Sequence, residues 1–230
     1  MNELQNQWYK KWWGILLIVL AFLFLVLIIL VGFKIKNISS NPDKNNYQSL
    51  ARNNLTPVQL KTIEGINNYW TGTSTPKITI VEFGDFACTY CQKSYSKIRE
   101  ISLKNKDTVK FIFRDYPINT EQSIKLSMAA RCAGEQGLFW NAYDKLFQYQ
   151  GVNTDTDIKT LIKTIGINGD KFEKCYDSQK YLNNIKKDLS DGNQLGITGT
   201  PTWFINGNII KGDIPTDTFN KIIEELNKIL

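Results

Sequence analysis

The apolar and polar positions divide the chain into stretches of different period. Residues 12–33 carry no charge, and WGILLIVLAFLFLVLIILVGF is apolar on every side. About twenty such residues match the hydrocarbon thickness of a bilayer, and a soluble helix of that length needs a polar face that this one lacks. Lys34 to about Ser49 is polar, rich in Asn and Ser, and too poor in apolar residues to fold, so it is expected to be a tether. Thr56-Pro57 then opens a helical stretch through PVQLKTIEGINNYW, with Thr at the cap and Pro in the first turn. Gly72 to Pro76 is turn chemistry. Ile78 to Phe83 is β-branched and largely apolar, the pattern of a buried strand. QKSYSKIREISLKNK repeats its apolar residues at roughly helical spacing, and Val109 to Tyr116 alternates as a second strand closed by Pro117.

From Asn119 to about Leu195 the pattern is helical, capped at Asn119 or Thr120 and punctuated by Gly134, Gly137, Gly151, Gly166 and Gly169. Within it Phe139, Trp140, Tyr143 and Phe147 fall at helical spacing and are expected in the core, with part of the run free to line a groove. Trp203 to Ile210 reads strand, Asn-Gly turn, strand. Thr216 to Leu230 is an amphipathic helix with Phe219, Ile222, Ile223, Leu226 and Leu230 on one stripe. The organisation is then a tail at 1–11, a membrane span at 12–33, a tether and short helix at 34–70, and a folded domain at 71–230 with a helical insertion at about 119–195.

Trp8, Tyr9, Trp12 and Trp13 place amphipathic rings where a span meets the headgroups. A cleaved signal peptide with Lys10 and Lys11 as its basic region is the competing reading. The apolar run exceeds the usual signal length and no small-x-small site follows it, which favours an uncleaved signal-anchor. Lys34 and Lys36 nearly balance Lys10 and Lys11, so a cytoplasmic N-terminal tail is chosen as the simplest topology.

Composition narrows the chemistry. The 28 basic and 22 acidic residues leave a net charge of +6 without a basic run, so nucleic acid is not an expected partner. The chain has no His, which removes Ser-His-Asp triads, His-ligated metals and imidazole acid–base catalysis. Four Cys remain. Cys88-Thr89-Tyr90-Cys91 lies where the strand after Ile78 hands over to a helix. The first turn of a helix offers unpaired N–H groups and a partial positive charge, so Cys88 is expected to be an exposed nucleophile of low pKa. Cys91, one turn on, shares its face and can resolve a mixed disulfide. A zinc site would need a second CxxC or a His pair, and neither is present, so no metal is expected. A purely structural bridge is the other alternative. Cys132 and Cys175 are either a structural disulfide, favoured in an oxidising compartment, or two buried thiols; a relay to Cys88 is the third reading.

Three segments, VEFGDFACTYC, MAARCAGEQGLFWNAYDKLF and GTPTWFINGNIIKG, occur in the order that resembles the DsbA-like branch of the thioredoxin fold. The resemblance spans about residues 70–230 and implies an α/β thioredoxin fold interrupted by an inserted helical subdomain, here preceded by a transmembrane helix. It implies Cys88 as nucleophile, Cys91 as resolving cysteine and Glu82 as the buried acid behind them. A carboxyl in a central apolar strand has a raised pKa and can relay the proton of Cys91, whereas one on an edge strand would face water. By the same resemblance Pro201 is a cis-proline and Thr200 offers its backbone to an extended substrate; Gly-x-Pro alone supports only a turn.

The dipeptide Thr89-Tyr90 departs from the Pro-His of strongly oxidising members, which removes a cationic neighbour of the sulfur. A helix terminus supplies at most about 2 kcal/mol, so a milder oxidant with a Cys88 pKa between about 4.5 and 7 is expected. The implied enzyme is a thiol:disulfide oxidoreductase that needs no cofactor, anchored by one span with its catalytic domain outside the cytoplasm, at a bacterial cell surface or in a periplasm. Its implied partners are unfolded secreted or surface proteins with free cysteines, and a quinone-linked DsbB-like or VKOR-like reoxidase. No dimerisation module is visible, so a monomer is expected. A disulfide isomerase or reductase on the same fold, and a non-catalytic tethered peptide-binding module, are the alternatives.

Overall fold

A computed structural model describes residues 12–40, 50, 55–152 and 154–230. The chain divides into two units, residues 1–46 and 47–230. The first contains helix α1, Trp12–Ser40, which includes the whole of the apolar stretch. Its side chains from Ile15 to Leu30 are almost all exposed. Among the described residues no helix is long and apolar enough to cross a membrane, the described side chains of α1 ending at Leu30. The expected tail at 1–11 and most of the tether lie outside the described residues.

In the second unit, β2 (Ile78–Gly84) and β3 (Val109–Asp115) are parallel and joined by α3 (Thr89–Lys104). Crossing from one parallel strand to the next requires such a connection. Both strands are buried on both faces, which explains why their sequences are nearly continuous apolar runs. β4 (Thr202–Ile205) lies antiparallel to β2, and β5 (Asn208–Lys211) antiparallel to β4. Asn206 and Gly207 join them with φ of 47° and 81°, the left-handed pair that suits a two-residue hairpin. With β1 at Tyr69–Gly72, the sheet order is β1-β3-β2-β4-β5, which puts β2 at the centre. The closing helix α9, Thr216–Ile229, buries Phe219, Ile222, Ile223 and Leu226. Phe219 meets Trp203 of β4 edge-on, ring centres 5.6 Å apart.

One expected element divides in two. Helix α2 covers only Pro57–Glu64, closed at its start by reciprocal bonds between Thr56 and Gln59 and at its end by Gly65, φ 70°. Tyr69–Gly72 is instead β1, antiparallel to β3, so the sheet begins inside the stretch assigned to tether and short helix. The outer edge of β3 provides the reason, because it offers a row of backbone N–H and C=O groups that an extended segment can pair. Tyr69 also stacks on Phe139 at 4.0 Å and donates its hydroxyl to the Arg131 carbonyl at 3.0 Å.

Between β3 and β4 lie α4 (Ser123–Gly134), α5 (Phe139–Gln148), α6 (Asp155–Lys163), α7 (Gly169–Asp177) and α8 (Leu182–Gln194). The first begins at Ser123 rather than at Asn119 or Thr120, and the Ser123 hydroxyl accepts the Thr120 N–H at 3.1 Å. A disulfide joins Cys132 of α4 to Cys175 of α7 across 43 residues. A crosslink over a loop of that length contributes roughly 2–4 kcal/mol by constraining the unfolded chain.

A buried charge network fastens these helices to the sheet. Arg114 of β3 is fully buried; it donates to Asp188 and Asp191 of α8 at 2.8 and 2.7 Å and to the Thr62 and Ile63 carbonyls of α2 at 2.8 and 2.9 Å. Arg131 of α4 pairs with Asp115 and Asp188. Removing one partner leaves a buried charge without its counterion, which costs far more than the pair gains over apolar packing. Arg114→Met is expected to lower unfolding free energy by about 3–5 kcal/mol, read from urea denaturation, whereas an exposed control such as Lys104→Met should change it little.

Candidate active site

Cys88 is the N-cap of α3. The loop before it is shaped by Asp85, a fully buried carboxylate. One Asp85 oxygen accepts the Ala87 N–H at 2.9 Å; the other accepts the N–H groups of Ile118 and Asn119 and the Asn119 side-chain amide, each at 2.8 Å. That amide also donates to the Thr200 hydroxyl at 3.1 Å. The Thr200 proton is thereby left for Cys88, whose thiolate it stabilises. The Thr200-Pro201 bond is cis, and the Cys88 thiol lies 3.3 Å from the Thr200 carbonyl. The Gln150 amide donates to the Phe86 and Cys88 carbonyls at 2.8 and 2.9 Å, closing the other side.

These contacts place Cys88 differently from the exposed position expected. The residue is only 5% exposed, because the cis-proline loop and the segment after α5 cover it. Beside it is a cavity of about 390 Å³ lined in part by Tyr90, Thr200, Pro201 and Lys211. Tyr90 is exposed, with the Lys93 ammonium 5.2 Å from its ring centre, and Thr89 is exposed as well.

Donors converge on the leading sulfur. The Cys91 thiol, the Thr200 hydroxyl and the backbone N–H groups of Cys91 and Tyr90 bring the Cys88 pKa down to about 6, against the opposing effect of burial. Cys91 is completely buried, and burial pushes its pKa well above the ordinary thiol range; the bond to Cys88 and the nearby Glu82 add to the rise. The two thiols are free in this structure.

Glu82 lies in β2 between Phe113 of β3 and Trp203 of β4, on a central strand and fully buried. Burial pushes its pKa up to about 8; Tyr143 opposes the rise and charge on Cys88 reinforces it. The Tyr143 hydroxyl donates to Glu82 Oε2 at 3.0 Å, and Glu82 Oε1 has no hydrogen-bond partner. Gly84 belongs to this packing, since a Cβ there would come within 2.6 Å of the Phe113 ring and 3.1 Å of Glu82 Oε1.

Cys88, Cys91, Glu82, Thr200 and Pro201 therefore form one interacting group, whereas Cys132 and Cys175 are bonded to each other in the helical subdomain. Asp85, Asn119, Gln150 and Tyr143 had no expected role in the site, Asn119 being expected as a helix cap and Tyr143 in the core. Asp85 precedes Cys88 by three residues; the others come from segments far away in the chain. Among the described residues no cluster of three His, Cys, Asp or Glu side chains is placed to hold a metal ion.

A low-pKa sulfur at a helix N-terminus, a buried partner thiol and a cis-proline loop on a five-stranded sheet define a dithiol–disulfide centre of thioredoxin type. The chain belongs to the thioredoxin family: residues 65–225 match the family described as Thioredoxin. Its form of the fold is that of the DsbA-like thiol:disulfide oxidoreductases. The thiol-disulfide exchange protein alpha-DsbA2 from Wolbachia pipientis superposes with a TM-score of 0.68 at 22% identity, over 80% of this chain and 97% of that one. Oxidised BdbD from Bacillus subtilis gives 0.63 at 25% identity, over 70% and 93%. Na(+)/H(+) antiporter NhaA 1 from Salinispora arenicola (strain CNS-205) is 29% identical over 132 residues, 56% of this chain and 20% of the antiporter. The chain thus spans about a fifth of the length of the curated relatives it first matches.

Two titrations follow from this geometry. Thiolate absorbance near 240 nm is expected to show Cys88 ionising at about 6, well below an ordinary thiol. Glu82 has a folded-state pKa near 8, above its unfolded value, so the native state retains a proton that the unfolded state has lost. That favourable linkage is complete at acid pH and disappears as pH rises towards 8. Relative to Glu82→Gln, the parent is therefore expected to lose several kcal/mol of stability between pH 4 and 8; denaturation midpoints of both proteins across that range measure it.

Proposed function

We propose that this chain is a membrane-anchored dithiol oxidase acting outside the cytoplasm. Its Cys88–Cys91 disulfide would be attacked at Cys88 by a substrate thiolate. The bond to Cys91 breaks, a mixed disulfide forms on Cys88, and Cys91 leaves and takes a proton from Glu82. A second substrate thiolate then attacks the substrate sulfur, forming the substrate disulfide and releasing Cys88 as the thiolate. Two electrons pass from substrate to enzyme, and the two negative charges of the substrate thiolates end on Cys88 and on Glu82, whose proton is now on Cys91.

The observation that carries this reading is the opposed state of the two sulfurs: the Cys88 anion is favoured while Cys91 is held neutral. A favoured thiolate stabilises the reduced enzyme and makes its disulfide the better electron acceptor. Unfolded secreted or surface proteins with free cysteines are the proposed substrates, with Thr200-Pro201 and the adjoining cavity receiving an extended segment. The Cys132–Cys175 bridge supports an oxidising compartment. The charge-free stretch 12–33 supports a signal-anchor with residues 1–11 in the cytoplasm, the remainder outside, and reoxidation by a quinone-linked membrane partner of DsbB-like or VKOR-like type.

Equilibration with glutathione tests the direction of electron flow. An oxidase should lie above the roughly −270 mV of thioredoxin, and a value at or below it would turn the assignment to the reductase or isomerase. Cys88→Ser should abolish oxidation of a reduced model substrate in either case; unchanged function in that variant would identify a non-catalytic binding module.

A further inference from the structure

The buried carboxyl behind the cysteines is held from one side only. Glu82 Oε2 accepts from Tyr143, and Oε1, in the same buried site, accepts from no group among the described residues. β3 and β4 present Phe113 and Trp203 beside it, neither of which ionises. α9 contributes the apolar residues Phe219, Ile222, Ile223 and Leu226 to the same core. α3 brings Cys91 and, at its cap, Cys88; α5 brings Tyr143. Asp144, next to Tyr143, is held by Arg99 at 3.0 Å and acts on the phenol rather than on Glu82. Tyr143 is thus the single hydrogen-bond donor to this carboxyl among the described residues.

Its ring is fixed as firmly as its hydroxyl. Phe86, Phe111, Phe113 and Phe147 meet Tyr143 edge-on with centres 4.9–6.3 Å apart, and the residue has no exposure. A buried Tyr needs an acceptor for its O–H, and here the acceptor is the group that serves Cys91.

We propose that Tyr143 is a positioning residue of the proton relay: by bonding Glu82 Oε2 it orients the carboxyl so that Oε1 exchanges the proton of Cys91. This inference rests on the redox reading above and deepens it. When a mixed disulfide on Cys88 is resolved, Glu82 Oε1 takes the proton of Cys91. The Cys91 thiolate attacks Cys88 Sγ, the Cys88–Cys91 bond forms, and the bound thiol leaves as a thiolate. In disulfide donation the same proton returns to Cys91. The Tyr143 bond also favours the carboxylate over the acid, because a hydrogen bond to an ionised acceptor is the stronger one.

The test loads Cys88 with glutathione as a mixed disulfide and follows glutathione release against pH in the full-length protein. Tyr143→Phe is expected to move the midpoint of the pH–rate profile up by about one unit and to slow release about tenfold at pH 7. In a Glu82→Gln background the same substitution should change the rate less than about twofold. An unmoved midpoint, or an equal loss in both backgrounds, would overturn the proposal and leave Tyr143 a packing residue. The infrared band of the protonated carboxyl, titrated in reduced parent and Tyr143→Phe, gives a readout independent of redox direction; its midpoint should rise in the variant, and an identical midpoint refutes the coupling. If Tyr143→Phe does not fold, parent protein carrying 3-fluorotyrosine, whose more acidic phenol donates more strongly, should titrate that band at lower pH, and no change there refutes it equally.

Discussion

Two buried acids, Glu82 and Cys91, lie behind the first turn of α3, and every negative charge placed in the site raises the cost of the next. Charge on Cys88 raises the pKa of Glu82, and charge on Glu82 raises that of Cys91. Both buried groups are disfavoured as anions by desolvation, so the charge goes where donors are available. Four donors are available at Cys88: the neutral Cys91 thiol, the Thr200 hydroxyl and two N–H groups of the helix start. Glu82 has one. The fold exists in this sense to bring a central strand, a helix N-terminus and a distant proline loop to a single point, and the register Glu82 to Phe113 and Trp203 fixes the strand's share.

The inserted helices take part in that arrangement. Gln92 of α3 donates to the Phe147 carbonyl at 2.8 Å, Arg99 pairs with Asp144, and Gln150 holds the carbonyls of Phe86 and Cys88. Tyr95 of α3 stacks on Phe147 at 5.5 Å. Helix α5 is therefore tied to the catalytic helix along its length, and α4 beside it is tied to α7 by the disulfide and to β3 and α8 by Arg131. Stabilising the insertion and positioning the redox pair are one structural task.

Much of this was legible from residue order because the signals are local. The strand Ile78–Gly84, the helix after Cys88, the Asn206-Gly207 hairpin and the stripe of α9 are each written in consecutive residues. What escaped depends on contacts between distant segments. Tyr69–Gly72 is a strand because β3 has an open edge, and its own composition does not announce that. Asn119 looks like a helix cap but spends its amide on Asp85 and Thr200. Tyr143 sits at core spacing and is in the core, yet its hydroxyl reaches a carboxyl 61 residues away. The covering of Cys88 arises from Thr200-Pro201, 112 residues further on.

The magnitude of the thiolate effect limits what Cys88 alone can do. With an ordinary thiol pKa near 9 and a folded value near 6, ionisation at pH 7 favours the reduced protein by a factor of about ten, or ~1.4 kcal/mol, equivalent to ~30 mV for a two-electron couple. That is a modest displacement, in keeping with a Thr-Tyr dipeptide that places no cation beside the sulfur. Cys91 supplies the largest part of that displacement, because its buried thiol donates to the Cys88 anion only in the reduced protein, and closing the disulfide abolishes that bond along with the charge it stabilises. The burial of Glu82 and Cys91 therefore acts on the potential as well as on the proton, keeping Cys91 a donor at the pH where Cys88 is already an anion.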